Sequence, residues 1–129
     1  MAFEWKDYID LAHFLQREAS GKTNSEAFLR SAISRAYYGA FCHVRDYAEA
    51  KLGFQAKGEA RDHGALRACI RVGKTKGISD RLDRMRQWRN DCDYLKELTF
   101  NLDATLVTAL MDAQWILASL PSASSIPGS

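Results

Sequence analysis

The side chains in this 129-residue sequence that are able to move a proton or hold an anion are few and unevenly placed. There are three histidines, His13, His43 and His63, and three cysteines, Cys42, Cys69 and Cys92. The chemistry open to them is proton transfer by imidazole and phosphate binding by neighbouring guanidinium groups. One cluster stands out around Arg89. At 100° per residue Arg89 falls beside the apolar stripe of a helix rather than on its solvated side, with Arg86 one turn back, Asn90 adjacent and Asp93 one turn on. The same spacing also describes an ordinary intrahelical Arg89–Asp93 ion pair, worth about 0.3–0.5 kcal/mol.

The remaining candidates read more plainly. His43 lies at the flank of an apolar helical face next to Cys42, the position of a hydrogen-bonded core or interface histidine rather than a metal ligand, and His13 reads as a surface or groove residue. Arg35 and Tyr38 form a buried or interfacial polar pair, and Gly39 beside them allows close helix approach, between subunits included. The three widely spaced cysteines match neither a disulfide framework nor a zinc set, and read as buried thiols of a reducing compartment. No His, Cys or acidic cluster has metal-ligand spacing, so neither a metal nor another cofactor is expected. Gly73-Lys-Thr-Lys-Gly77 lacks the glycine spacing of a phosphate loop and a preceding strand, and reads as a basic turn.

Helices must position these groups. Apolar residues at Leu29, Ile33, Ala36, Ala40, Val44 and Tyr47 step by three or four, and Ala32, Tyr37, Phe41 and Ala48 widen the stripe. The spacing predicts a long central helix, buried on more than one side, from a Thr23/Glu26 capping box to Leu52, with Gly53 as its C-terminal cap. A first helix spans Trp5 to Ala19 with Tyr8, Leu11, Ala12 and Leu15 inward. After a loop from Phe54 to Arg61, Asp62 caps a short third helix to about Val72. Ser79 caps a fourth, with Ile78, Leu82, Met85, Trp88, Cys92 and Leu95 on one side and Trp88 as its anchor. Asn101 caps a fifth, carrying Leu102, Leu106, Leu110, Ala113 and Leu117. The fold class is therefore all-α, a single-domain bundle of four to five helices over residues 1–120, followed by a disordered tail from Pro121 to Ser129.

Formal net charge is only +2, yet from Lys57 to Lys96 eleven Lys and Arg stand against six Asp and Glu, net +5, which leaves −3 for the rest. The basic middle suits a phosphate-bearing partner as well as a solvated helix face. No apolar run reaches the roughly 20 residues of a membrane span and the N-terminus has no signal-peptide pattern, so a cytoplasmic protein without a membrane partner is expected.

Two segments carry a family resemblance. Ser34-Arg-Ala-Tyr-Tyr-Gly-Ala-Phe41, followed by His63 opening the next helix, and Leu82-Asp-Arg-Met-Arg-Gln-Trp-Arg-Asn-Asp-Cys-Asp-Tyr94 together resemble the HEPN family of small prokaryotic helical proteins, over about Tyr8 to Leu120. The resemblance implies an up-and-down helical bundle, usually a homodimer, working in toxin–antitoxin or phage-defence systems, often beside a minimal nucleotidyltransferase. Many members are metal-independent ribonucleases, with an Arg, a polar residue directly after it and a His four to six positions beyond. Arg89 and Asn90 match the first two; Tyr94 stands where the shortest form puts the His, and no His follows. A tyrosine with a pKa near ~10 is a poor base, so Tyr94 can only donate or position. His63 resembles the His of the Arg-Ala-Tyr-Tyr subgroup, many of which end their motif in Ala-Asp-Tyr much as this chain has Cys-Asp-Tyr.

The composite site so implied has Arg89, His63, Asp93 and Tyr94 as its catalytic set, with Arg86, Asn90, Arg35 and Tyr38 contacting RNA or a nucleotide. Two alternatives stay open: a non-catalytic module that partners a nucleotidyltransferase, and a structural helical adaptor in which Arg89 and Asp93 are only a salt bridge.

Overall fold

The computed structural model describes residues 3–70 and 76–121. Five helices follow in order: α1 (Lys6–Ala19), α2 (Ser25–Lys51), α3 (Glu59–Cys69), α4 (Lys76–Tyr94) and α5 (Leu102–Ser119). The protein is an all-α bundle, and no strand occurs among the described residues. α2 runs through the middle and packs against each of the other four, most broadly α1, α5 and α4. Its wide stripe explains this: Leu29, Ala32, Ile33, Ala36, Tyr37, Ala40, Phe41, Val44 and Ala48 are all buried, so more than half of its circumference is core.

The ends of the helices follow local chemistry, in places not the chemistry the sequence suggests. α2 begins at Ser25 behind Asn24, not on a Thr23 capping box, because Glu26 is drawn forward to the Nε of Arg30 at 2.9 Å. At its other end Gly53, at φ +70°, turns the chain so that the Phe54 amide returns to the Ala48 carbonyl at 3.2 Å. α3 starts three residues before the expected cap. Asp62 lies inside its first turn and reaches back to accept from the Lys57 and Gly58 amides, at 2.7 and 3.2 Å, which closes the connector onto the helix. α4 starts at Lys76, so Ser79 is not its cap but a buried residue of its first turns. The Asn101 cap of α5 stands as read, its side chain accepting from the Ala104 amide at 2.8 Å. The basic turn and the end of α3 expected near Val72 fall largely at 71–75, and the expected tail at 122–129; both stretches lie outside the described residues.

Four packing expectations are corrected. Leu11 and Leu95 are exposed, and Ile9, not Leu11, is the inward residue of α1 beside Ala12. Leu95 lies beyond the end of α4, where the helical period no longer applies. Cys69 is only half-buried, unlike Cys42 and Cys92. Trp88 is partly buried against the core rather than enclosed by it. Gly39 permits close approach within the chain: a Cβ there would stand 2.6 Å from Ile9 Cδ1 and 3.0 Å from the Trp5 carbonyl oxygen, so its missing side chain seats α1 on α2.

Two polar ties fix α4. Asp112 of α5, buried, accepts from Arg84 Nε at 2.7 Å and Nη2 at 2.5 Å in a two-pronged ion pair, with Arg81 Nε at 3.6 Å. At the far end Arg30 of α2 donates to the carbonyls of Cys92, Leu95 and Lys96, satisfying the acceptors a helix C-terminus leaves open. Among the described residues no helix is long and apolar enough to cross a membrane.

Candidate functional site

α2, α3 and α4 meet around the ring of Tyr37, which has no exposed surface. Its hydroxyl lies 2.7 Å from Nδ1 of His63, the residue that the first turn of α3 carries inward next to Asp62. Nε2 of the same imidazole is 3.2 Å from Oδ1 of Asp83 on α4, and Asp83 Oδ2 is 3.4 Å from Arg67 Nη1 at the surface. A carboxylate only accepts, so Nε2 carries the proton, Nδ1 is the acceptor, and the Tyr37 hydroxyl donates to it. Phe41 stacks on both rings, 5.6 Å from Tyr37 and 6.1 Å from His63.

The pKa of His63 lies below its ordinary value of 6.5. Burial is the main cause and the positive charges of Arg86 and Arg67 add to it, while the hydrogen bond and charge of Asp83 pull the other way without prevailing. At neutral pH the imidazole is thus uncharged and held at both nitrogens.

Arg89 approaches the same tyrosine from α4. Its guanidinium lies 5.2 Å from the Tyr37 ring centre and 5.1 Å from that of Tyr38, with only 4 % of the residue exposed. The sequence reading sets it beside the stripe; in the structure it belongs to the buried side, where two aromatic faces and the Asp93 carboxylate at 3.7 Å replace the water it loses. Ser34 Oγ donates to the same Asp93 oxygen at 3.5 Å.

A groove of about 430 Å³ opens beside this centre between α1, α2 and α4, lined by Leu11, Leu15, Ser31, Ser34, Arg35 and Asp93. The Arg35 guanidinium lies 4.9 Å from the ring centres of both Tyr8 and Tyr38. Tyr38 therefore contacts two arginines, the buried Arg89 and the groove-lining Arg35.

The structure thus brings most of the expected residues together. Arg89, Asp93, Arg35 and Tyr38 are contiguous, His63 joins them through Tyr37, and Arg86 is close enough to act on the His63 charge. Tyr94 does not join them: it is the last residue of α4 and 77 % exposed. Asn90 is half-buried next to Arg89. Sequence reasoning missed Tyr37, taken as core alone, and Asp83, whose position one turn before Arg86 and Gln87 was the available signal. His43 is satisfied by the Leu120 carbonyl at 3.0 Å, and His13 pairs with Gln114 on the surface at 3.0 Å. Burial raises the Cys92 thiol to about 11, so it is no nucleophile at neutral pH. Among the described residues no group of His, Cys, Asp or Glu is arranged to hold a metal ion.

No family model, curated protein or solved structure matches the chain.

Proposed function

We propose that this protein is a HEPN-type helical module that binds RNA or a nucleotide in a toxin–antitoxin or phage-defence setting, and that binding rather than cleavage is its task. The observation that carries the reading is the placement of His63 and Arg89, two of the residues the resemblance singles out, against one buried tyrosine ring. Binding is favoured over cleavage because the imidazole is occupied at both nitrogens and the guanidinium is covered, so neither meets a phosphodiester without rearrangement. The net charge of +5 between Lys57 and Lys96 supports a polyanion as partner.

Cleavage is a second reading, favoured by the unbroken line from Tyr37 through His63 to Asp83, which is the connectivity of an oriented proton carrier. The deciding experiment incubates the purified protein with a mixed RNA pool, with and without EDTA, and measures retention and cleavage for wild type, Arg89→Ala and His63→Ala. The expected outcome is salt-sensitive retention without cleavage. EDTA-insensitive cleavage that disappears in both variants would replace the binding reading by a ribonuclease. Neither retention nor cleavage at low salt would sink both and leave the structural adaptor.

Two partners belong to the proposal. A second copy is supported by the outward stripe of α5, where Val107, Met111 and Trp115 are exposed at helical spacing; sedimentation of wild type against Met111→Asp tests it. A minimal nucleotidyltransferase rests on the resemblance alone, and co-purification with such an enzyme encoded beside this gene tests that.

A further inference from the structure

We infer that the groove between α1, α2 and α4 is a binding site for a 5′-phosphorylated nucleoside, with Arg35 as the phosphate contact. The inference rests on the nucleotide-binding reading above and gives it a site and an orientation.

Arg35 differs from the other arginines of this region. Arg30 is spent on carbonyls, Arg84 and Arg81 on Asp112, and Arg67 on Asp83. The Arg35 guanidinium has Tyr8 and Tyr38 rings at 4.9 Å, and among the described residues no carboxylate or carbonyl accepts from it. Aromatic contact holds the plane of a guanidinium while leaving its edge donors open, and an oriented edge suits the two-pronged recognition of a phosphate. Ser31, Ser34 and Arg35 stand three and four residues apart on α2, so both hydroxyls share the groove wall with the guanidinium.

The rest of the lining suits the rest of a nucleotide. Leu11 and Leu15, one turn apart on α1, form an apolar wall for a base. Asp93 closes the α4 side, and its charge is matched by Arg89 at 3.7 Å, so the groove retains the positive charge of Arg35. The contacts from Arg89 and Ser34 both fall on Asp93 Oδ2, which leaves Oδ1 as acceptor for a ribose hydroxyl or a base amino group. A volume of about 430 Å³ is that of a small-ligand site and is too small for a duplex.

The same chemistry is presented by a free nucleotide and by the 5′ end of an RNA. The test therefore titrates the full chain by calorimetry with 5′-AMP, adenosine, and one short RNA carrying either a 5′-phosphate or a 5′-hydroxyl. The expected result is that 5′-AMP binds at least tenfold tighter than adenosine, and that Arg35→Ala removes this difference while Arg35→Lys restores part of it. Ser31→Glu, which sets a negative charge at an exposed position of the groove, abolishes 5′-AMP binding without unfolding the protein, so a folding defect in Arg35→Ala does not decide the matter. A preference for 5′-phosphate over 5′-hydroxyl RNA that Arg35→Ala erases assigns the RNA end as ligand; binding of 5′-AMP without that preference assigns the free nucleotide. Unchanged 5′-AMP binding in Arg35→Ala and Ser31→Glu overturns the inference. RNA retention with no 5′-AMP binding at millimolar concentration overturns it too while leaving the nucleic-acid reading intact; failure of both ligands removes the two together.

Discussion

Tyr37→Phe removes one oxygen and keeps the ring that Phe41 stacks on and Arg89 faces. What it takes away is the donor to His63 Nδ1, at 2.7 Å between two residues that are 0 % and 6 % exposed. An intramolecular hydrogen bond is worth about 0.5–1.5 kcal/mol net, and a buried acceptor left without a donor costs about 1–3 kcal/mol, so a loss of roughly 1–3 kcal/mol is expected. For a domain of this size that lowers Tm by about 3–5 °C per kcal/mol. The loss should also depend on pH. The hydroxyl donates only to neutral Nδ1, so the gap between wild type and variant is largest above the unfolded pKa of 6.5 and narrows as pH falls through the lowered folded pKa of His63. Urea denaturation at a series of pH values measures both effects. A variant as stable as wild type within ~0.3 kcal/mol at pH 8, or a gap that widens in acid, would refute the assignment of donor and acceptor, since either means the bond does not form as described.

Asp83→Asn removes the hydrogen-bonded charge that favours imidazolium, so the NMR titration midpoint of His63 should fall further below 6.5; an unchanged or higher midpoint counts against the Nε2–Asp83 contact. Because the folded pKa is depressed, the stability gained by keeping His63 neutral is complete above pH 6.5 and is lost as pH falls through the folded value, and Asp83→Asn should extend that loss to lower pH. Gly39→Ala places a methyl group 2.6 Å from Ile9 Cδ1 and 3.0 Å from a backbone oxygen, and should cost about 1–3 kcal/mol in chemical denaturation as α1 is forced off α2. Arg30→Ala frees three carbonyls at the end of α4, so amide exchange should quicken over 92–96 before it does so in α2. His63→Ala breaks the polar tie between α3 and its neighbours, so exchange protection should drop throughout α3 while α1 and α5 keep theirs.

How legible these features were depends on whether local pattern or distant packing decides them. The central helix could be read almost residue by residue, because ten apolar positions agree on one stripe and burial follows the stripe. Asn101 could be read because a cap is a local hydrogen bond. The start of α3 could not. Its apolar content is slight, with Leu66 buried and Ile70 just past the end, so the boundary is set by Asp62 reaching back to Lys57 and Gly58. The partner of His63 was hidden for a related reason: Asp83 is twenty residues away on another helix, and no spacing rule relates residues of two helices.

Arg89 shows how charge and period compete. It lies four residues after Met85 and seven after Leu82, both buried, so its helical angle falls between theirs, inside the stripe and not beside it as the sequence reading had it. Its charge argues it outward, and a compromise at the rim is what sequence reasoning returns. The compromise fails because the facing helix presents two tyrosine rings at the height of the guanidinium and α4 itself supplies Asp93 one turn on. Those same rings divide the labour between two arginines. Tyr37 and Tyr38 seal Arg89 inside, where it neutralises Asp93, and Tyr38 with Tyr8 leaves Arg35 in the groove. Of the two arginines that the resemblance marks, Arg89 thus lies covered beside Asp93, whereas Arg35 lines the groove.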